Sequence, residues 1–232
     1  MDFMKVIHIL AGFFCVMSLL AVILISSVDI AVYGDMGYFQ KEYRKYDVIK
    51  NVNMEEKELL FVTEEMMSYL KGKRDNLNVK AVIDGKEKEF FNEKEIAHME
   101  DVRTLFSAGQ WLRRIGIIVC VITAAFLLFQ NKLEFLLKYL RNGLISFMVF
   151  TTALAIIIAT NFTKYFVIFH KIFFSNNLWI LNPKTDRLIN IVPEPFFVDT
   201  SVRIVVIFFC IILFVCISCS VLLKIGIKKT GV

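Results

Sequence analysis

VIHILAGFFCVMSLLAVILISSV, residues 6–28, is the stretch on which the fold turns. A single lysine, Lys5, precedes it, so it reads either as a cleaved leader or as a retained helix. A secretory leader has an apolar core of roughly 7–15 residues followed by an A-x-A-like cleavage site. Here the apolar run is 23 residues long and no such site follows. It therefore reads as a retained signal anchor, long enough to cross roughly 30 Å of hydrocarbon.

Three further stretches have the same character: Ile115–Phe129 with its flanks, Leu144–Asn161 and Arg203–Leu223. None carries an acidic residue, and no charge interrupts its centre. Across the chain 57% of residues are hydrophobic, 23 of the 232 are phenylalanine, and the mean hydropathy is +0.62. These values exclude an ordinary soluble domain. The expected fold is a membrane protein: a four-transmembrane-helix bundle with an extracytoplasmic α+β domain between helices 1 and 2 and a membrane-lying lid between helices 3 and 4. The expected segments are helix 1 (1–28), the α+β domain (29–112), helix 2 (113–130), a cytoplasmic loop (131–143), helix 3 (144–163), the interfacial lid (164–202), helix 4 (203–224) and a cytoplasmic tail (225–232).

Orientation follows from Lys and Arg in short loops beside the spans. Lys5, Lys132, Lys138, Arg141, Lys224, Lys228 and Lys229 fall on one side, against Asp2 and Glu134. The segment 161–203 on the other side has five basic and three acidic residues. Both termini are thus expected on the cytoplasmic side. All five cysteines lie inside the apolar spans, so external disulfides are not expected, and even the C-x-x-C of Cys216 and Cys219 reads as packed small hydrophobes.

Within 29–112, Asn53 and Glu56 have the spacing of a capping box. Leu59, Val62, Met66 and Leu70 then recur at helical spacing, and Gly72 stands at the position of a C′ glycine. Val79, Ala81 and Ile83 alternate with polar neighbours before Asp84-Gly85, which predicts a hairpin. FNEKEIAHMEDVRTLF, residues 91–106, opens with a second capping box, Asn92 with Glu95. His98, Asp101 and Leu105 then share one helical face. A carboxylate at i, i+3 can fix an imidazole's tautomer and stabilise its charged form. A solvated helix that happens to include a histidine is the plainer reading of the same spacing.

The other external segment holds KYFVIFHKIFFSNNLW, residues 164–179, where His170 interrupts an aromatic run. Asn182-Pro183 and Pro193-Glu194-Pro195 mark turns beyond it, and Trp179, Phe196 and Phe197 are aromatics suited to headgroup depth. On the expected topology His98 and His170 share a side of the membrane, whereas His8 lies at the cytoplasmic end of helix 1. G-x-S-x-G, H-E-x-x-H and phosphate-loop motifs are all missing, and no cysteine is external. Any chemistry would rest on histidine as general acid and base. The competing chemistry is a zinc site built from His98, His170 and one of Asp101, Asp186 or Glu194, although the ligands lack pairwise spacing.

Four runs together, HMEDVR (98–103), FHKIFFSNNLWILNP (169–183), TDRLI (185–189) and PEPFF (193–197), resemble one family. It is the bacterial lipoprotein intramolecular transacylase family of integral membrane proteins. The resemblance spans the whole chain in topology, with the motifs concentrated in the two external segments. It implies acyl transfer at the outer face of a bacterial cytoplasmic membrane. The sn-2 acyl chain of a diacylglyceryl lipoprotein would move to the α-amine of its N-terminal cysteine, giving the lyso form. The family's two functional histidines fall on His98 and His170. The reading drawn from it makes His170 the base and His98, oriented by Asp101, the acid or oxyanion donor, with the reverse assignment open. Arg103, Asp186 and Glu194 are supporting candidates whose plainer role is an ion-pair set holding the lid, and Asn176 and Trp179 are lid and substrate-binding candidates. The implied partners are diacylglyceryl-modified lipoproteins and membrane lipids, with no nucleic acid and no cofactor. A metal-dependent lipid hydrolase and a non-enzymatic membrane scaffold or sensor are the alternatives.

Overall fold

The computed structural model describes residues 3–230, with side chains described through residue 226. Asp2 and the side chains of Lys228 and Lys229, which enter the charge count above, lie outside that description, as do residues 231 and 232 of the expected tail. Eleven elements follow in order: α1 (Phe3–Tyr33), α2 (Met36–Lys45), α3 (Val48–Val52), α4 (Glu56–Leu70), β1 (Lys80–Ile83), β2 (Lys86–Glu89), α5 (Glu93–Phe129), α6 (Leu133–Thr160), α7 (Phe162–Phe173), α8 (Leu188–Ile191) and α9 (Glu194–Thr230). Four of them, α1, α5, α6 and α9, are long and apolar enough to cross a membrane. The chain divides into two compact units.

The first unit is built from residues 1–28, 110–160 and 204–232. Val16, Leu20 and Ile23 of α1 bury against Leu144 of α6 and against Phe208 and Ile212 of α9. Meanwhile Phe14, Ile118, Val149 and Phe214 stay exposed, as side chains facing acyl chains do. Small residues set the helix spacing: a Cβ on Gly116 would come within 3.0 Å of Val22 and 3.2 Å of the Ser18 carbonyl oxygen. All five cysteines are free, and Cys15 packs its sulfur 3.9 Å from that of Cys120.

The second unit contains residues 29–109 and 161–203. Its core is the buried face of α4 (Leu59, Val62, Met66, Leu70) packed with the strand residues Ala81 and Ile83 and with Phe90, Ile191 and Phe196. The two strands pair antiparallel, Lys80 with Glu89 and Ile83 with Lys86. Asp84 (φ 53°) and Gly85 (φ 72°) both adopt the positive φ that a type I′ turn requires. β1 alternates exposed and buried, while β2 is exposed throughout, so this hairpin covers the core with one strand face only. Gly72 (φ 73°) ends α4, its N–H bonding the Tyr69 carbonyl while that of Lys73 reaches Ser68, which is a Schellman closure.

One sequence expectation needs correcting, and three helix boundaries fall where hydropathy does not mark them. Asn53 does not cap α4: it ends α3 in the left-handed region, with its amide turned to Asp84, and Glu55 precedes α4 without a side-chain cap. The polar helix bearing His98 and the apolar stretch after residue 112 are one unbroken 37-residue helix, α5. No residue between Asp101 and Phe129 supplies the proline or local capping that would end it. Likewise α9 begins at Glu194 rather than near 203, because Pro195 sits in its first turn, where a missing N–H breaks no helical bond. The aromatic run after residue 161 is a separate helix, α7, opened by Asn161, whose side chain accepts from the Lys164 N–H at 3.1 Å.

Candidate active site

Two caps fix where the histidines stand. At the start of α5 the Asn92 and Glu95 side chains exchange bonds with each other's backbone N–H, at 2.9 and 2.8 Å, as the capping-box spacing predicts. Glu95 is fully buried and its other oxygen accepts the Leu188 N–H at 2.5 Å, which ties α8 to this helix start. His98 follows one turn later. His170 lies in the last turn of α7, where its carbonyl accepts the Phe174 N–H at 2.8 Å as the chain turns off the helix.

The rings meet. Their centroids are 6.2 Å apart, with only 7% of His98 and 8% of His170 exposed. Phe174 packs against both, at 5.4 and 5.6 Å. Trp179 stacks on His170 at 4.9 Å and 29°, and its indole N–H donates to the Asn176 carbonyl at 2.9 Å. Phe166 closes another side at 4.2 Å.

This environment sets the protonation states. His170 Nδ1 lies 2.7 Å from the Phe166 carbonyl oxygen, which can only accept, so Nδ1 carries the proton and Nε2 the lone pair. Burial lowers the His170 pKa, while that bond to Phe166 opposes the shift. The His98 pKa falls to about 4, chiefly by burial and then by proximity to His170, with Asp101 pulling the other way. Both imidazoles are therefore neutral at pH 7. His98 Nδ1 is buried and has no hydrogen-bond partner among the described residues. A buried nitrogen left this way costs about 1–3 kcal/mol, a penalty that a ligand bond would relieve.

Asp101 shares the helix face with His98, but its Oδ2 accepts from Asn176 Nδ2 at 2.8 Å, so the carboxylate positions the lid residue rather than bonding the imidazole. Asn176 also turns its Oδ1 to the Leu178 N–H at 3.0 Å, which shapes the loop that delivers Trp179. Three charged candidates stand apart from the rings. Arg103 lies over Tyr69 at 4.7 Å and donates to the Asp75 carbonyl. Asp186 accepts from Asn92, the Asn182 N–H, Thr185 and Lys94, which clamps the loop before α8 to the start of α5. Glu194 accepts from the Thr163 hydroxyl. Among the described residues, no three of His, Cys, Asp and Glu lie together as a metal-binding set.

Sequence reasoning missed the second job of Glu95, which the capping box signalled only in part. It also missed Phe166 and Phe174, whose placement around His170 follows from i−4 and i+4 spacing on a helix and its continuation. Nor did any pattern signal the Lys94 ammonium, which bonds the Ile180 carbonyl at 2.5 Å and so holds the loop that follows Trp179.

The family model for the lipoprotein intramolecular transacylase Lit matches residues 13–197. The chain belongs to the Lit family. Among solved structures it is similar to the membrane-integral Lit of Bacillus cereus, at 25% identity over 96% of both chains with a TM-score of 0.76. Two structures of that protein with a single histidine replaced, by arginine or by alanine, match at 26% identity and a TM-score of 0.75. They cover 98% of this chain and 95% and 96% of theirs. Comparison with curated proteins finds no match. Lit membership, together with four apolar helices, makes this an integral membrane protein of a lipoprotein transacylase family.

Proposed function

We propose that this protein moves the sn-2 acyl chain of a diacylglyceryl-modified lipoprotein to the α-amine of its N-terminal cysteine, with His98 and His170 as the proton-handling pair. The observation that carries the reading is the pair itself: two buried, neutral imidazoles 6.2 Å apart. Nucleophile and ester already belong to one molecule, so the enzyme must orient them and move protons. Proximity of that kind is worth roughly 7–11 kcal/mol in well-oriented intramolecular reactions.

The α-ammonium, with an ordinary pKa near ~7.7–8.0, first releases one proton to bulk water, because only the neutral amine has a lone pair to attack. His170 presents a lone pair on Nε2 and takes a second proton from the nitrogen as it bonds the ester carbon. His98, neutral and with an N–H of its own, donates to the oxyanion that develops. The tetrahedral intermediate collapses as the C–O bond to glycerol breaks, and the imidazolium of His170 returns its proton to the leaving oxygen. One N–C bond forms and one C–O bond breaks; of the two protons the ammonium loses, one goes to water and one to the glycerol oxygen. No acyl-enzyme is formed.

The side of the membrane follows from charge. Lys132, Lys138 and Arg141 flank the short connection between α5 and α6, which favours the cytoplasm for that end and the outer face of the cytoplasmic membrane for the histidines. Residues 29–109 and 161–203 then form the extracytoplasmic part, with residues 164–202 as its membrane-lying lid.

The test is mass spectrometry of a lipoprotein's N-terminal peptide, from cells with and without this protein. An acyl group on the cysteine amine, with a free hydroxyl on glycerol, is expected only when the protein is present. Its absence rejects the transacylase reading, and release of free fatty acid instead supports a hydrolase.

A further inference from the structure

The paired imidazoles are neutral, so neither offers a charge to hold the substrate's ammonium group before reaction. A cavity of about 250 Å³ opens beside them, and its walls include Asp101, Leu105, Ala108, Phe173, Phe174 and Asn176. Phe174 is wall on one side and packs against both histidine rings on the other. Asp101 stands one turn beyond His98 on α5 and is the only charged side chain in the lining.

The polar groups of the wall are Asp101, Thr104, Ser175 and Asn176, and the two on α5 are arranged to accept. Asp101 Oδ2 takes the Asn176 amide at 2.8 Å, and Oδ1 has no bond to a described residue. The Thr104 hydroxyl, also in the wall, gives its proton to the Glu100 carbonyl at 3.0 Å, which leaves only its lone pairs for a guest. A carboxylate beside a hydroxyl that offers only lone pairs matches a primary ammonium, which has three donors and no lone pair. It mismatches an anion, which would face the carboxylate.

Resting on the transacylase reading above, we propose that Asp101, held in place by Asn176, binds the α-ammonium of the lipoprotein's N-terminal cysteine before proton transfer. The apolar walls, Leu105, Ala108, Phe173 and Phe174, receive the adjoining thioether and glyceryl carbons. This makes Asp101 a selector for a free N-terminus: a lipoprotein already acylated on nitrogen has no cation to offer, so a finished product leaves and an N-acylated lipoprotein is refused.

The experiment measures binding without reaction, using diacylglyceryl-like lipopeptides whose two chains are joined by ethers and cannot be transferred. Three N-termini are compared on the full-length protein in detergent: free amine, N-methyl amine, which keeps the charge and adds bulk, and N-acetyl, which removes the charge. Wild type is expected to bind the first two alike and the N-acetyl form about tenfold more weakly, the scale of one charge-assisted hydrogen bond. In Asp101→Asn, whose amide oxygen can still accept from Asn176, the preference is expected to shrink below threefold. Equal binding of the amine and N-acetyl forms by wild type overturns the proposal, as does a tenfold preference that survives in Asp101→Asn. Binding without discrimination leaves the transacylase reading standing, whereas no binding of any of the three forms sinks both.

Discussion

Acidification should loosen this protein through His98, and the size of the effect can be worked from its burial. In an unfolded chain the imidazole titrates near 6.5, whereas in the folded protein its pKa is about 4. The folded state therefore resists the proton. Above pH 6.5 neither state binds it and stability is unaffected. Between 6.5 and 4 only the unfolded state takes it up, and stability falls by up to ~1.4 kcal/mol per pH unit. Below 4 both states are protonated and the loss levels off at about 3 kcal/mol. Protonation there also sets a second charge against His170, whose own pKa is lowered by burial, so the two losses run in the same direction. Other carboxylates titrate in this range too, which makes the comparison with His98→Gln the informative one. Thermal unfolding in a neutral detergent, read by tryptophan fluorescence from pH 7.5 to 4.5, should show the wild-type midpoint falling more steeply than the variant's below pH 6.5. Parallel curves for the two proteins would refute the claim that His98 is buried uncharged.

Replacing His170 with glutamine removes the lone pair on Nε2, and acyl transfer measured by mass spectrometry should fall about 10²–10⁴-fold while the fold is kept. For the wild type the rate should decline as pH drops below ~8, where the α-amine becomes protonated. It should fall further only at a pH below the ordinary imidazole range, where His170, its pKa lowered by burial, takes up a proton and can no longer act as base. Trp179→Ala takes away the ring that stacks on His170 at 4.9 Å, so turnover should drop about tenfold, and Trp179→Phe should restore most of it, a stack of this kind being worth about 0.5–1.5 kcal/mol. Glu95→Ala orphans the part-buried N–H of Asn92 and the buried N–H of Leu188 together and should destabilise by about 2–5 kcal/mol in denaturant unfolding, more than Glu95→Gln, whose single amide oxygen can still accept one of the two bonds.

The four long apolar helices, the Asn92–Glu95 capping box, the hairpin at Asp84-Gly85 and the buried face of α4 were all readable from the chain. Each has its cause within a few residues: the length of an apolar run, a side chain reaching the N–H three positions away, a turn that needs positive φ, or a 3.6-residue period. Where local causes competed, the reading failed. Asn53 fits a capping pattern as well as Asn92 does, yet it serves as the left-handed end of α3 and gives its amide to Asp84, 31 residues away. The joint between the polar and apolar halves of α5 was invisible for a related reason. A change from water to lipid along a helix alters composition without breaking the backbone hydrogen-bond ladder, so hydropathy marks a boundary that the backbone does not have.

The sequence determined by itself that two histidines lie in polar or amphipathic segments outside the apolar spans, one of them a turn after a strong helix cap. Tertiary structure alone decided that they touch, that Trp179 and Phe174 hold them, and that Asp101 turns to Asn176 rather than to the imidazole beside it. Those contacts join α5 to a lid more than 70 positions later in the chain. No periodicity encodes a pairing of that span. It is fixed by the shared core that Ile191 and Phe196 form with α4 and the hairpin, and by the Asp186 clamp and Glu95, which bring α7 and its loop back onto the start of α5.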